Sequence, residues 1–234
     1  MAANWMRRTV MVAACASAAL LAACGSSTTE SAITPQRFIA FGDAMNDVGQ
    51  NGSRYTVNDG SVNNWTLQVV ANYGKSLTPV SAGGLSYATG NARVSAKPDA
   101  AGNASTRTVT EQIDAFLASG SFAATDVVMV SGGVSDVIAG MAAVNAGTLT
   151  QDAMVAAARK AGEDLAAQVR RLVTAGAKYV VVTGTYDLSK TPWAKAIGRE
   201  ALLSNASSRF NEGLLVGIVD LGANVLYVDS AYYV

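Results

Sequence analysis

From residue 37 onward the chain alternates short β-branched apolar runs with longer stretches whose apolar positions recur at helical spacing. Residues 37–41, 126–130, 178–183 and 225–228 are the apolar runs, and each reads as a buried strand. Residues 64–73 place Trp65, Leu67, Val69, Val70 and Tyr73 at helical spacing, and residues 109–117 repeat that pattern. Residues 136–144 read as a further helix. Residues 151–175 bring Met154, Ala158, Leu165, Val169 and Leu172 near one face, with Glu163, Arg170 and Arg171 elsewhere, and stop at Gly176. Residues 200–221 form a last long helix with Gly222 as its stop. Strand and helix in this rhythm predict an α/β domain whose parallel sheet is covered on both faces.

The segment before that rhythm has a different character. Arg7 and Arg8 precede a small, apolar stretch, residues 9–21, which is too short for a permanent membrane helix of about 20 residues. Residues 1–23 therefore read as a signal peptide. Leu21, Ala22, Ala23, Cys24 and Gly25 resemble a bacterial lipobox, which implies cleavage before Cys24 and a lipid anchor on that cysteine. Ser26, with no aspartate after Gly25, favours the outer membrane over inner-membrane retention. Residues 24–36, rich in Ser and Thr, read as the lipidated cysteine and its tether, which leaves residues 37–234 as one domain.

Composition then removes whole classes of chemistry. The 17 basic residues balance the 17 acidic ones, so there is no electrostatic footprint for nucleic acid. Both cysteines, Cys15 and Cys24, fall in the leader region, which leaves the domain without a disulfide framework or thiolate metal cluster. The chain contains no histidine, which excludes Ser-His-Asp catalysis and imidazole metal sites within this polypeptide. No cofactor is expected. No lysine has a serine three residues before it, Val69 occupies the glycine position a phosphate loop would need before Gly74, Lys75 and Ser76, and no G-x-S-x-G elbow occurs. Asp43 and Asp47 alone are poor metal ligands and fit better as a helix cap and a loop acceptor.

In doubly wound folds ligands bind beyond the carboxyl ends of the strands. The turns expected there are residues 42–47, residues 132–136, residues 184–187, and Asp229 with Ser230. Gly, Asp and Ser in such places suit a binding site, and they serve equally well as turn formers and caps. The residue types alone leave both readings open.

Motif spacing narrows the choice. FGDAMNDVG at residues 41–49 resembles the first block of the GDSL, or SGNH, serine ester hydrolases, usually written F-G-D-S-x-x-D-x-G. GGLSYATGNARV at residues 83–94 resembles that family's second block, and VSGGVSDV at residues 130–137 its third. The resemblance implies a flavodoxin-like three-layer α/β/α sandwich and an esterase or lipase-like activity on small esters. It implies a serine nucleophile in the first block, a late D-x-x-H block, and an oxyanion hole. That hole combines the nucleophile's own N–H, a second-block glycine N–H and a third-block asparagine.

The chain departs from that set at the reacting positions. Ala44 stands at the nucleophile position, with Asp43 implied to orient the turn. Gly90 matches the oxyanion glycine, although Asn91 follows where a second glycine is usual, and Ser135 takes the asparagine position. No D-x-x-H block occurs, and the chain ends on the apolar residues 231–234, which reads as an interrupted fold. The expectation is an impaired ester hydrolase, or a non-catalytic surface lipoprotein that binds acyl or glycan ligands in the old cleft.

Overall fold

The computed structural model describes residues 32–54 and 61–233. The leader, Cys24 and most of the tether lie outside the described residues. The chain divides into residues 1–34 and a second unit from Pro35 to Val234, and only the second is described below.

Four strands form one all-parallel sheet in the order β1-β2-β3-β4: β1 (Phe38–Phe41), β2 (Val127–Ser131), β3 (Tyr179–Thr183) and β4 (Val225–Val228). Their register runs from Ala40 through Met129 and Val181 to Leu226. Every residue of β1 and β2 is buried, as expected of strands read from unbroken apolar runs. β1 lies at one end of this order, yet its backbone is covered: Ala40 N–H donates to Leu85 O (3.1 Å) and Tyr87 N–H donates to Ala40 O (2.7 Å). Strand β4 at the other end is only partly buried, and Leu226 there is 62% exposed.

Among the described residues seven helices accompany the sheet: α1 (Trp65–Asn72), α2 (Val109–Ser119), α3 (Val134–Asn145), α4 (Gln151–Thr174), α5 (Pro192–Ile197), α6 (Glu200–Ile218) and α7 (Ser230–Tyr233). Sheet and helices together fit the three-layer α/β/α sandwich. The starts are set by side chains accepting the first free N–H groups: Asn64 caps α1, Thr108 and Glu111 form a reciprocal capping box on α2, and Thr150 caps α4. α4 and α6 pack against one another more closely than any other helix pair, and Gly162 permits this. A Cβ there would stand 2.0 Å from the carbonyl oxygen of Phe210 on α6. Leu165, Val169, Leu172, Phe210 and Leu214 bury the seam.

Three local expectations shift. α3 starts at Val134, two residues before the expected start, because the chain turns into the helix directly at Gly133. α6 ends at Ile218 and not at residue 221, leaving Val219 81% exposed past its end. α5 was not expected. Thr191 accepts from Ala194 N–H, Pro192 occupies the first turn, and left-handed Gly198 closes this short helix.

Candidate active site

The chain makes its sharpest departure from regular structure at the end of β1. Gly42 has φ 139°, and a Cβ at this position would lie 2.3 Å from Ser131 Oγ on β2. Its N–H donates to Gln112 Oε1 (2.8 Å), and Gln112 Nε2 donates back to Gly42 O (2.9 Å). A buried amide on α2 thus holds both polar groups of the turn's first residue. Asn211 on α6 does the same after β3, accepting from Thr185 N–H (2.9 Å) and donating to Thr185 O (2.8 Å). Neither amide was singled out from the sequence, since a lone Gln or Asn within a helix carries no motif.

Asp43 is fully buried directly behind the turn. Its Oδ1 accepts from Met45 N–H (3.2 Å) and from Ser131 Oγ (2.9 Å), while Oδ2 has no partner. Burial raises its pKa, and those hydrogen bonds oppose the rise. Ala44 follows on the turn, partly exposed, with a methyl group at the nucleophile position. Asn46 closes the turn from behind, donating to Phe41 O (2.9 Å) and accepting from the Thr66 hydroxyl (3.1 Å).

Side-chain carboxylates tie the three sequence blocks together. Asp47 Oδ1 accepts from Gly49 and Gln50 N–H (both 2.8 Å), and its Oδ2 accepts from Gly90 N–H (2.7 Å), joining the first block to the second. The Gly90 N–H, expected as an oxyanion donor, is therefore already engaged by a buried carboxylate. Asn91 beside it is the only non-glycine residue at positive φ (64°) among the described residues, at the position where a second glycine is usual. Asp136 joins the second block to the third: Val94 N–H donates to Oδ2 (3.0 Å) and Arg93 Nε to Oδ1 (3.4 Å). Burial pushes the Asp136 carboxyl up to about 6, against the pull of Val94 N–H and Arg93, and the nearby Asp43 adds to the rise. The Asp43–Ser131 hydrogen bond links the first block to the third. Ser135 lies in the first turn of α3 and is buried.

The other two turns divide differently. Burial, and then the charge of Asp43, raise the phenol pKa of Tyr186. Asp187 caps a short 3-10 turn through Ser189 N–H (3.0 Å) and also accepts from Ser204 Oγ. Asp229 accepts from Ala231 and Tyr232 N–H at the start of α7, and the Ser230 hydroxyl donates to Gly184 O (3.3 Å). Those three residues act here as caps and anchors. No group of three or more His, Cys, Asp or Glu side chains able to hold a metal occurs among the described residues.

A parallel α/β/α sandwich whose three sequence blocks are joined by buried carboxylates beside the carboxyl ends of β1 and β2 defines an SGNH-type acyl-ester hydrolase scaffold. Residues 38–230 match the GDSL-like Lipase/Acylhydrolase family, and the chain belongs to that family. No curated protein matches the chain.

Proposed function

We propose that this protein is a GDSL-family lipoprotein descended from an esterase or lipase-like hydrolase, and that it retains the ester cleft while lacking catalysis. One observation carries the reading: the nucleophile turn is held by Gln112, Ser131 and Asp47, yet it presents the Ala44 methyl group where an attacking oxygen is needed. Two further observations support it. The 234 residues contain no imidazole to act as general base, and Gly90 N–H is bonded to Asp47. In a serine protease, removing the nucleophile costs about 10^6 in turnover and leaves about 10^3–10^4 over water. A comparable residue is too small to sustain an esterase, which leaves binding of a small ester or acyl ligand as the role of the cleft.

The test is hydrolysis of p-nitrophenyl acetate and butyrate by the full chain and by Ala44→Ser. Both are expected at background, since the restored serine would still lack a histidine base. Turnover by the unsubstituted chain that a serine-directed phosphonate blocks would overturn the proposal. Turnover by Ala44→Ser alone would assign the base to another side chain. Attachment through Cys24, with the outer membrane as destination, belongs to the same proposal. It is checked by detergent-phase partition of the chain expressed in a bacterium, where Cys24→Ser should move the protein to the aqueous phase.

A further inference from the structure

A hollow of about 350 Å³ adjoins the second block on the side of Thr89, the residue before Gly90, and falls within the size range of small-molecule sites. Two buried aspartates fix its walls. Asp47 holds Gly49 and Gln50, and the Gln50 amide in turn donates to Ser86 O (3.0 Å) and accepts from Ser81 N–H (2.9 Å). Asp99 holds the opposite loop, accepting from Ala101 N–H (2.9 Å), Asn103 N–H (2.8 Å) and the Thr106 hydroxyl (2.6 Å). With those bonds made, the walls are set before any ligand arrives.

The polar groups left over define the ligand. Arg107, Asn51, Asn103 and Tyr87 all line the hollow, and the Arg107 guanidinium, the Asn51 amide, the Asn103 Nδ2 and the Tyr87 hydroxyl have no hydrogen-bond partner among the described residues. Among the described residues, no Asp or Glu lines it. Hydrogen-bond donors predominate, so the hollow suits a ligand rich in oxygen acceptors. Among the described residues that line it, Arg107 alone carries a formal charge. The start of α2 adds nothing, because the N–H groups of Thr108, Val109, Thr110 and Glu111 are bonded to Glu111 Oε2, Arg93 O, Val94 O and Thr108 Oγ1. One planar guanidinium, without a second cation or a free helix terminus, matches a carboxylate better than a phosphate dianion. The neutral amides and the phenol match hydroxyl groups.

We propose that this hollow binds a sugar residue bearing a carboxylate, a uronate, with its carboxylate on Arg107 and its hydroxyls on Asn51, Asn103 and Tyr87. The site is independent of whether the neighbouring cleft retains ester chemistry, because none of its donors belongs to the nucleophile turn.

Calorimetric titration of the full chain with the dimer of galacturonic acid, the neutral galactose dimer and acetate tests it. Saturable binding of the uronide is expected, with the neutral dimer and acetate each weaker by about tenfold or more. Arg107→Gln should weaken the uronide by about tenfold and leave the neutral dimer unchanged, and Tyr87→Phe should cause a smaller loss. Arg107 is exposed, so an unchanged melting curve should accompany its substitution. Failure of the uronide to bind, equal binding of the neutral dimer, or an Arg107→Gln variant that binds as before would each overturn the proposal. Acetate binding as tightly as the uronide would overturn it too, by showing a lone carboxylate spot without a sugar site.

Discussion

Asp136 makes the stability of this fold depend on pH in a way that can be calculated beforehand. Its carboxyl is buried between the second and third blocks, 8% exposed, and titrates near 6 against an ordinary value of 3.8. The main cause is loss of hydration, which Val94 N–H and Arg93 offset only in part. Because the folded state holds this proton more tightly than the unfolded chain, the contribution is fully present below pH 3.8 and is lost as pH rises through about 6. At about 1.4 kcal/mol per pH unit, the interval from 3.8 to about 6 corresponds to about 3 kcal/mol. Asp136→Asn cannot ionise and still offers Val94 N–H an acceptor, so this part of the pH dependence should vanish in the variant. Urea unfolding of both proteins between pH 4 and pH 7 measures the difference. The variant is expected to gain on the parent steadily as pH rises, by about 3 kcal/mol over the whole interval. Parallel stability curves would refute the reasoning, because the Asp43 carboxyl, also raised by burial, is common to both proteins.

Other consequences are local to the nucleophile turn. Gln112→Ala leaves Gly42 N–H and C=O unpartnered in a buried place and should lower the unfolding free energy by about 3–5 kcal/mol in denaturant titration; a loss below about 1 kcal/mol would show that the turn does not depend on the amide. Gly42→Ala places a Cβ 2.3 Å from Ser131 Oγ and 2.7 Å from Ser131 O at φ 139°, so it should destabilise by more than about 3 kcal/mol or prevent folding, and a parental melting curve would contradict that. Ala44→Ser adds one hydroxyl at a partly exposed turn position, and its calorimetric melting should imply a change within about 0.5 kcal/mol; a large loss would mean that the turn had adapted to the methyl group.

The strands were legible because a parallel sheet buries both of its faces, which makes each strand an unbroken apolar run that periodicity finds without help. Helix ends were less legible. Gly222 reads as a stop, but α6 ends four residues earlier at Ile218, since a glycine marks where a helix can end and packing decides where it does. α5 escaped because six residues hold too few apolar positions to show a period, although Thr191, Pro192 and Gly198 mark both of its ends. At the site, motif spacing pointed to the loops that meet and not to the bonds between them. Gly90 illustrates the gap: its place in the second block suggests a free donor, and only the fold brings Asp47, 43 residues away, to within 2.7 Å of its N–H. Gln112 and Asn211 were invisible for the same reason, their partners lying 70 and 26 residues distant.

If catalysis has been lost as proposed, the bonds between the three blocks explain how the scaffold would outlast its chemistry. Asp43 to Ser131, Asp47 to Gly90 and Asp136 to Val94 join the three blocks pairwise, and none of these bonds involves the side chain at residue 44. A nucleophilic serine there would contribute its oxygen to the reaction and no hydrogen bond to this framework. Replacing it by alanine therefore removes turnover while the carboxylates, the amide clamps and the packed core remain as they are. The converse does not hold: losing Asp47 would detach Gly90 and release Gln50, loosening the cleft and the wall of the adjoining hollow together.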